Sequence, residues 1–190
     1  MRSSIREYLA SEAMFHLGIP TSRAASLIVS NHTKVKRDKL YTGDVIEEKC
    51  AVVMRVAPTF MRFGSFEIFH PKDNYTGRAG PSPSPGMQKE MMPNMLNYVI
   101  KNFYPKIDAE FDNQRLKTKA MFIEVVGLTA KTVALWQCNG FCHGVLNTDN
   151  MSILGLTIDY GPYAFMEHYN PKFICNHSDK QGRYRYEAQP

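Results

Sequence analysis

Cysteine is scarce in this sequence: four in 190 residues, with Cys50, Cys138, Cys142 and Cys175 forming no C-x-x-C pair. That excludes a disulfide scaffold and makes a reducing compartment the expectation. Long apolar runs are missing too. The longest are short pieces such as Ala51 to Met54, far below the roughly 18 residues of a spanning helix, so no membrane span is expected. Charge of one sign is in short supply as well, since 23 Lys+Arg against 18 Asp+Glu leave only +5, with a pI near 9.0. The one basic cluster, Lys34 to Lys39, carries Asp38 within it, and the basic residues are not interleaved with aromatics. Nucleic acid is therefore not an expected partner, whereas a phosphate-bearing small ligand suits the same modest surplus. What is present is ordinary globular usage, 44% hydrophobic and 22% charged, over one domain's length, which excludes disorder, collagen-like repeats and an isolated coiled coil. The basic opening Met1-Arg2-Ser3-Ser4-Ile5-Arg6 runs at once into Glu7 and Glu12, so it reads as folded protein and not as a targeting segment.

The pattern along the chain predicts a mixed α+β fold. Ser4 followed by Glu7 has capping-box spacing, and Ile5, Leu9, Ala13 and Leu17 share one face of a first helix ended by Gly18 and Pro20. Ala25 to Val29 and Cys50 to Val56, around the turn-forming Tyr41-Thr42-Gly43-Asp44, predict hairpin strands. From Thr59 to Phe69 the phenylalanines at 60, 63 and 66 recur every third residue and favour a helix, while the Phe66, Ile68 alternation would suit a strand. Residues 71–93 hold eight Pro and Gly residues, read as an insertion without regular structure. Asn94 then caps a helix to about Phe103. A longer helix follows from about Asp112 to Cys138, with Leu116, Ala120, Ile123, Val126 and Val133 on its stripe and Gly140 at its end. Met151 to Leu154 and Leu156 to Ile158, parted by Gly155, form a hairpin that ends on Asp159-Tyr160-Gly161.

Chemistry concentrates between His143 and Gly161. Asn150 lies seven residues after His143, and Asp159-Tyr160-Gly161 follows nine later, the spacing of a kinase catalytic loop H-R-D-x-x-x-x-N and its D-F-G aspartate. Mg²⁺ on nucleotide phosphates keeps several waters and needs one or two protein oxygens, which Asn150 and Asp159 supply as metal ligands. The position two after His143, where a kinase has its base, is Val145, so ordinary phosphoryl transfer is disfavoured. Asp149 beside Asn150 serves as base only if the substrate approaches a different phosphorus. Taken singly these residues have plainer readings. Glu7 completes a capping box, Arg55 and Arg62 are solvated side chains, Asp149 and Asn150 make an Asx-turn, and His143 is a satisfied core histidine.

Three strings, Arg2-Ser3-Ser4-Ile5-Arg6-Glu7, Arg62-Phe63-Gly64-Ser65-Phe66-Glu67 and His143 through Pro162, resemble the selenoprotein O family, and Gly77-Arg78-Ala79-Gly80-Pro81 resembles its animal branch. The resemblance runs nearly end to end. It implies a protein-kinase-like two-lobed fold, here a partial N-lobe over 1–57 and a C-lobe core over 58–190, that binds ATP flipped and transfers AMP to protein hydroxyls. It also implies Asp149 as proton acceptor, Asn150 and Asp159 as ligands of Mg²⁺ or Mn²⁺, Asp159 also against the nucleotide, Arg55 and Arg62 on the ATP phosphates, and Glu7 as partner of a nucleotide-binding lysine. Protein substrates and mitochondrial residence follow from it in the same way. The family carries that lysine and a glycine-rich segment upstream of Arg2, and a helical region downstream, so the chain reads as an internal fragment with Glu7 lacking its partner. The alternative expectation is a non-catalytic remnant that binds nucleotide weakly or not at all.

Overall fold

A computed structural model describes residues 1–38, 43–70, 72, 75–80 and 86–189. The expected turn residues Tyr41 and Thr42, Lys39 of the basic cluster and residues 71, 73, 74 and 81–85 of the proline-rich stretch lie outside them. Helix α1 (Arg2–His16) is followed by strands β1 (Arg23–Asp38) and β2 (Val45–Val56), a 3-10 helix (Phe63–Phe69), and helices α2 (Gly86–Phe103), α3 (Pro105–Glu110) and α4 (Gln114–Cys138). Two-residue strands β3 (Phe141–Cys142) and β4 (Ala164–Phe165) flank a 3-10 turn at Thr148–Asn150, and another such turn at Tyr186–Ala188 comes last. The class is α+β, with two small antiparallel sheets, β1 with β2 and β3 with β4.

Helix α1 ends as the sequence predicts. Gly18 takes a φ of 75°, its N–H reaches the Phe15 carbonyl at 3.0 Å, and the Ile19 N–H reaches Met14 at 3.0 Å, the Schellman pattern that only an easily left-handed residue permits. Its start and its buried face differ from expectation. The helix begins at Arg2, so Ser4 sits inside the first turn, and the N-cap, Met1, makes no side-chain bond. Ala10, Ser11 and Met14 are buried, while Leu9 is 60% and Leu17 52% exposed. Glu7 shares the buried stripe, because 7, 10, 11 and 14 lie one turn apart. A bidentate pair from Arg23 to Glu12, at 2.8 Å to each oxygen, with the Ala24 N–H at 3.0 Å, fastens α1 to β1.

The hairpin forms as predicted, with longer strands, Ala24 opposite Arg55 and register shifts at Ala24/Ser26 and Val29/Lys34. The helix expected over 59–69 forms only from Phe63, as a 3-10 helix whose three residues per turn match the Phe63, Phe66 spacing, while Phe60 lies outside it. Helix α2 starts at Gly86, eight residues before the expected Asn94 cap, and takes Pro93 into its interior, where proline removes one ladder bond. The short α3, with Pro105 in its first turn, has no counterpart in the sequence reading.

Helix α4 is capped by Asn113, whose Oδ1 accepts from the Arg115 and Leu116 N–H groups at 2.8 and 3.4 Å. Its buried residues are Met121, Val125, Thr132, Val133 and Trp136, whereas Leu116, Ile123 and Val126 of the expected stripe stand 48–60% exposed. The helix is apolar on several sides, so periodicity gives its face no direction. By length and composition it is the one helix among the described residues long and apolar enough to cross a membrane. Here it is the spine of the core. Val133 and Trp136 join Ala10, Met14, Ile19, Phe141 and Tyr160 in one cluster, and Met121 and Val125 join Val99, Ile100, Tyr104 and Ile153 in another.

The 151–160 segment lies along this spine. It has bridges, Met151 with Thr157 and Arg62 with Ser152, in place of the expected strands. Side chains fix it instead: Thr132 donates to the Gly155 carbonyl, Trp136 Nε1 to Thr157 Oγ1 at 2.9 Å, and Tyr104 to the Ile153 carbonyl. A rigid track therefore leads from α4 to Asp159.

Candidate functional site

Asp159 sits at the end of that track in a left-handed conformation, φ 59°, one that Asp tolerates better than most residues and that often marks a functional position. Just behind it, His143 is fully buried and its Nε2 donates to the Ile158 carbonyl at 3.0 Å. Burial holds its pKa below the usual value, which suits a structural group. Its Nδ1, however, is buried without a hydrogen-bond partner among the described residues, so the histidine is only half satisfied where the sequence reading expected a satisfied one.

The two arginines converge on this aspartate from different elements. Arg55, near the end of β2, donates through Nη1 to Asp159 Oδ1, and Arg62, just before the 3-10 helix, donates through Nη1 to Oδ2. Arg55 Nη1 also lies 3.4 Å from Glu7 Oε1, so within this chain Glu7 stands beside a cation other than the lysine that the resemblance implies. Arg62 Nη1 further donates to the backbone carbonyl of Asp149 at 2.7 Å, and its Nε to the Phe60 carbonyl at 3.2 Å. Glu7, Arg55, Asp159, Arg62 and Asp149 thus form one connected polar network drawn from α1, β2, the 3-10 entry, the 148–150 turn and the 159–161 segment. These side chains are half-buried, 14–28% exposed for Glu7, Arg55, Arg62 and Asp159, which strengthens their charge-assisted bonds while leaving one side open to a ligand.

The turn that carries Asp149 is organised by Asn147, whose Oδ1 accepts from the Asp149 N–H at 3.1 Å. The Asx-turn named as a plain reading is real, but Asn147 makes it and the Asp149 carboxylate is left outside it. Asn150 Nδ2 donates to the Val145 carbonyl at 2.6 Å, which fixes its amide and leaves Oδ1 as the group for a cation. Thr148 donates to Glu67 of the 3-10 helix. Gly64 completes the seam, because a Cβ there would overlap the Asp149 carboxylate and stand 3.3 Å from its backbone nitrogen.

An amide oxygen and a carboxylate are hard donors that fit Mg²⁺ or Mn²⁺, with water completing the shell. Among the described residues no group of three or more His, Cys, Asp or Glu is placed to hold a metal, so any ion here draws on few protein ligands. Both Asp159 oxygens accept one bond from arginine, and each keeps a second lone pair with which it could meet a cation.

Glu7 has its pKa raised, burial outweighing the opposing pull of Arg55. A carboxylate whose folded pKa lies above its unfolded value contributes stability fully below the unfolded pKa and loses it as pH rises through the folded one. Glu7→Gln removes that titration. Its thermal midpoint relative to the parent chain is expected to rise between pH 4 and pH 7, checked by melts at the two pH values. A gap that shrinks with pH contradicts the raised pKa.

Sequence reasoning missed Gly64, Asn147 and Glu67. Gly64 and Glu67 stand in the quoted Arg62 to Glu67 string, so their proximity to the site was signalled without their role. A groove of about 1390 Å³ along α4, lined by Phe63, Phe66, Leu96, Met121 and Phe122 among others, is apolar and contains none of the expected site residues.

The family model described as protein adenylyltransferase SelO matches residues 1–190. The mitochondrial protein adenylyltransferase SelO of Mus musculus is 58% identical over 194 residues, covering all of this chain and 28% of its own length. Its Homo sapiens counterpart, also named mitochondrial, is 56% identical over 191 residues, again 28% of its length. A protein nucleotidyltransferase YdiU of Pectobacterium carotovorum is 46% identical over 190 residues, 34% of its length. The chain therefore spans about a third or less of these relatives. With its whole length matched and the family's strings gathered into one network, the chain belongs to the SelO family.

Proposed function

We propose that the protein is an adenylyltransferase that moves AMP from ATP to Ser, Thr or Tyr hydroxyls of proteins, on a kinase-like two-lobed scaffold and, as in the animal relatives, in mitochondria. The observation that carries the reading is the network of Glu7, Arg55, Asp159 and Arg62 beside an acid, Asp149, in a loop with Val145 at the kinase base position. The two guanidiniums, now held by Glu7 and Asp159, are the forks that fit phosphate oxygens, which would take bonds that Asp159 now accepts. Asn150 and Asp159 would hold Mg²⁺ or Mn²⁺, which when bound offsets charge on the phosphates.

The substrate hydroxyl oxygen forms a bond to the α-phosphorus as the bond to the β-phosphate bridging oxygen breaks, and pyrophosphate leaves. The hydroxyl proton passes to the Asp149 carboxylate. Arg55 and Arg62 stabilise the charge growing on the departing pyrophosphate. Full-length protein is tested with ATP labelled at the α- or the γ-phosphate, and only the α-label is expected to enter protein. Entry of the γ-label alone overturns AMP transfer in favour of a kinase. The remnant reading concerns the 190-residue chain itself, and calorimetry of that chain with Mg·ATP tests it, micromolar binding contradicting it.

A further inference from the structure

Arg6 and Tyr163 hold each other across 157 positions of sequence. Arg6 Nη2 donates to the Tyr163 carbonyl, the Tyr163 hydroxyl donates back to the Arg6 carbonyl at 3.1 Å, and the guanidinium carbon lies 4.1 Å from the centre of the Tyr163 ring. Among the described residues no carboxylate pairs with Arg6, so its charge rests on the ring face and a carbonyl. The ring is fixed in turn: stacked on Phe141 at 5.8 Å and edge-on to Tyr160 at 5.7 Å. Arg6 directly precedes Glu7, and Tyr163 lies four residues after Asp159. The same helix is fastened near its other end to β1 by Glu12 and Arg23.

These two anchorages do different work. The Glu12–Arg23 pair ties α1 to the hairpin that carries Arg55, whereas Arg6–Tyr163 ties it to the segment that carries Asp159. A helix is rigid over one residue, so the second contact fixes how far Glu7 stands from Asp159 on either side of Arg55. We propose that Arg6 and Tyr163 are positioning residues, a clamp that sets the spacing of Glu7 and Asp159 around Arg55 and thereby the affinity of the cleft for Mg·ATP. The inference rests on the adenylyltransferase reading for its ligand.

The test uses full-length protein, calorimetry with Mg·ATP, the KM and kcat of AMP transfer, and a thermal melt for each variant. Arg6→Ala is expected to weaken Mg·ATP binding about tenfold, within the range seen when supporting contacts of a site are removed. KM should rise with it by more than kcat falls, and the melt should stay cooperative. Arg6→Lys, which keeps the cation but loses the fork, should recover part of the affinity. Tyr163→Phe keeps the ring and loses only the hydroxyl bond, so it serves if Arg6→Ala fails to fold. Combined with Arg6→Lys it should weaken binding by less than the product of the two single effects, because both act through one contact. Parent-like Mg·ATP affinity in folded Arg6→Ala, or in the folded Arg6→Lys/Tyr163→Phe double variant where Arg6→Ala does not fold, overturns the clamp while the reading of the cleft stands. Failure of the parent protein itself to bind Mg·ATP removes the reading and the clamp together.

Discussion

Asp149→Asn is expected to lower AMP transfer by about 10²- to 10⁴-fold, the usual contribution of a positioned general base, while Mg·ATP binding stays close to that of the parent protein. The separation follows from how the residue is held. Arg62 bonds to the backbone carbonyl of Asp149, and Asn147 bonds to its backbone N–H, so neither contact depends on the carboxylate. Asparagine keeps the turn and the arginine and loses only the capacity to take a proton. The measurement pairs incorporation of α-labelled phosphate with calorimetry on the same full-length preparation. Transfer that survives at the parent rate assigns the proton to another group. Loss of binding along with transfer would mean that the carboxylate orders the phosphates and is not mainly a base.

How far the sequence led can be judged residue by residue. The motif strings placed Glu7, Arg62, Asp149, Asn150 and Asp159 on the list, the wider family resemblance added Arg55, and the network joins five of the six, with Asn150 beside it. The strings could not supply the bond between Arg62 and the Asp149 carbonyl, nor the two arginines sharing Asp159, because those contacts span 87 to 104 positions. Local signals worked where backbone chemistry is decisive, as at Gly18 ending α1 and Gly140 closing α4, with φ of 75° and 61°. They failed where tertiary contact decides. Leu9 looked like a core residue, but the inward stripe of α1 belongs to Glu7, Ala10, Ser11 and Met14, since Glu7 is turned toward Arg55. Periodicity misassigned the face of α4 because apolar residues surround it. Pro93 suggested a boundary where the helix runs on through it. The cysteines looked scattered, yet Cys175 Sγ reaches the Cys142 carbonyl at 3.4 Å beside the loop.

Gly64→Ala is expected to lower transfer by about 10²-fold, the cost of displacing a reacting group by around 1 Å, although the substitution adds a single methyl group. Its Cβ would stand in the Asp149 carboxylate, 3.1 Å from Cγ and 3.3 Å from the backbone nitrogen, so one side must move. The 3-10 helix has little freedom to withdraw, since the Phe63 N–H is held by the Met151 carbonyl at 2.9 Å and Arg62 bridges Ser152. The Asp149 turn is held in turn by Arg62 and Asn147. The sub-van-der-Waals contact is with Oδ1, the free end of an exposed side chain, so the displacement falls on the base and on its spacing from Arg62 with little loss of stability. Gly127→Ala is the contrasting case. It lies on α4 with nothing within 4 Å of its added Cβ, so removing a helix-interior glycine should raise stability by roughly 0.5–1 kcal/mol and leave transfer unchanged. Melts and label incorporation on both variants decide the matter. If Gly64→Ala transfers AMP as well as Gly127→Ala, close packing of the 3-10 helix against Asp149 is not what positions the base, and the Asn147 turn alone suffices.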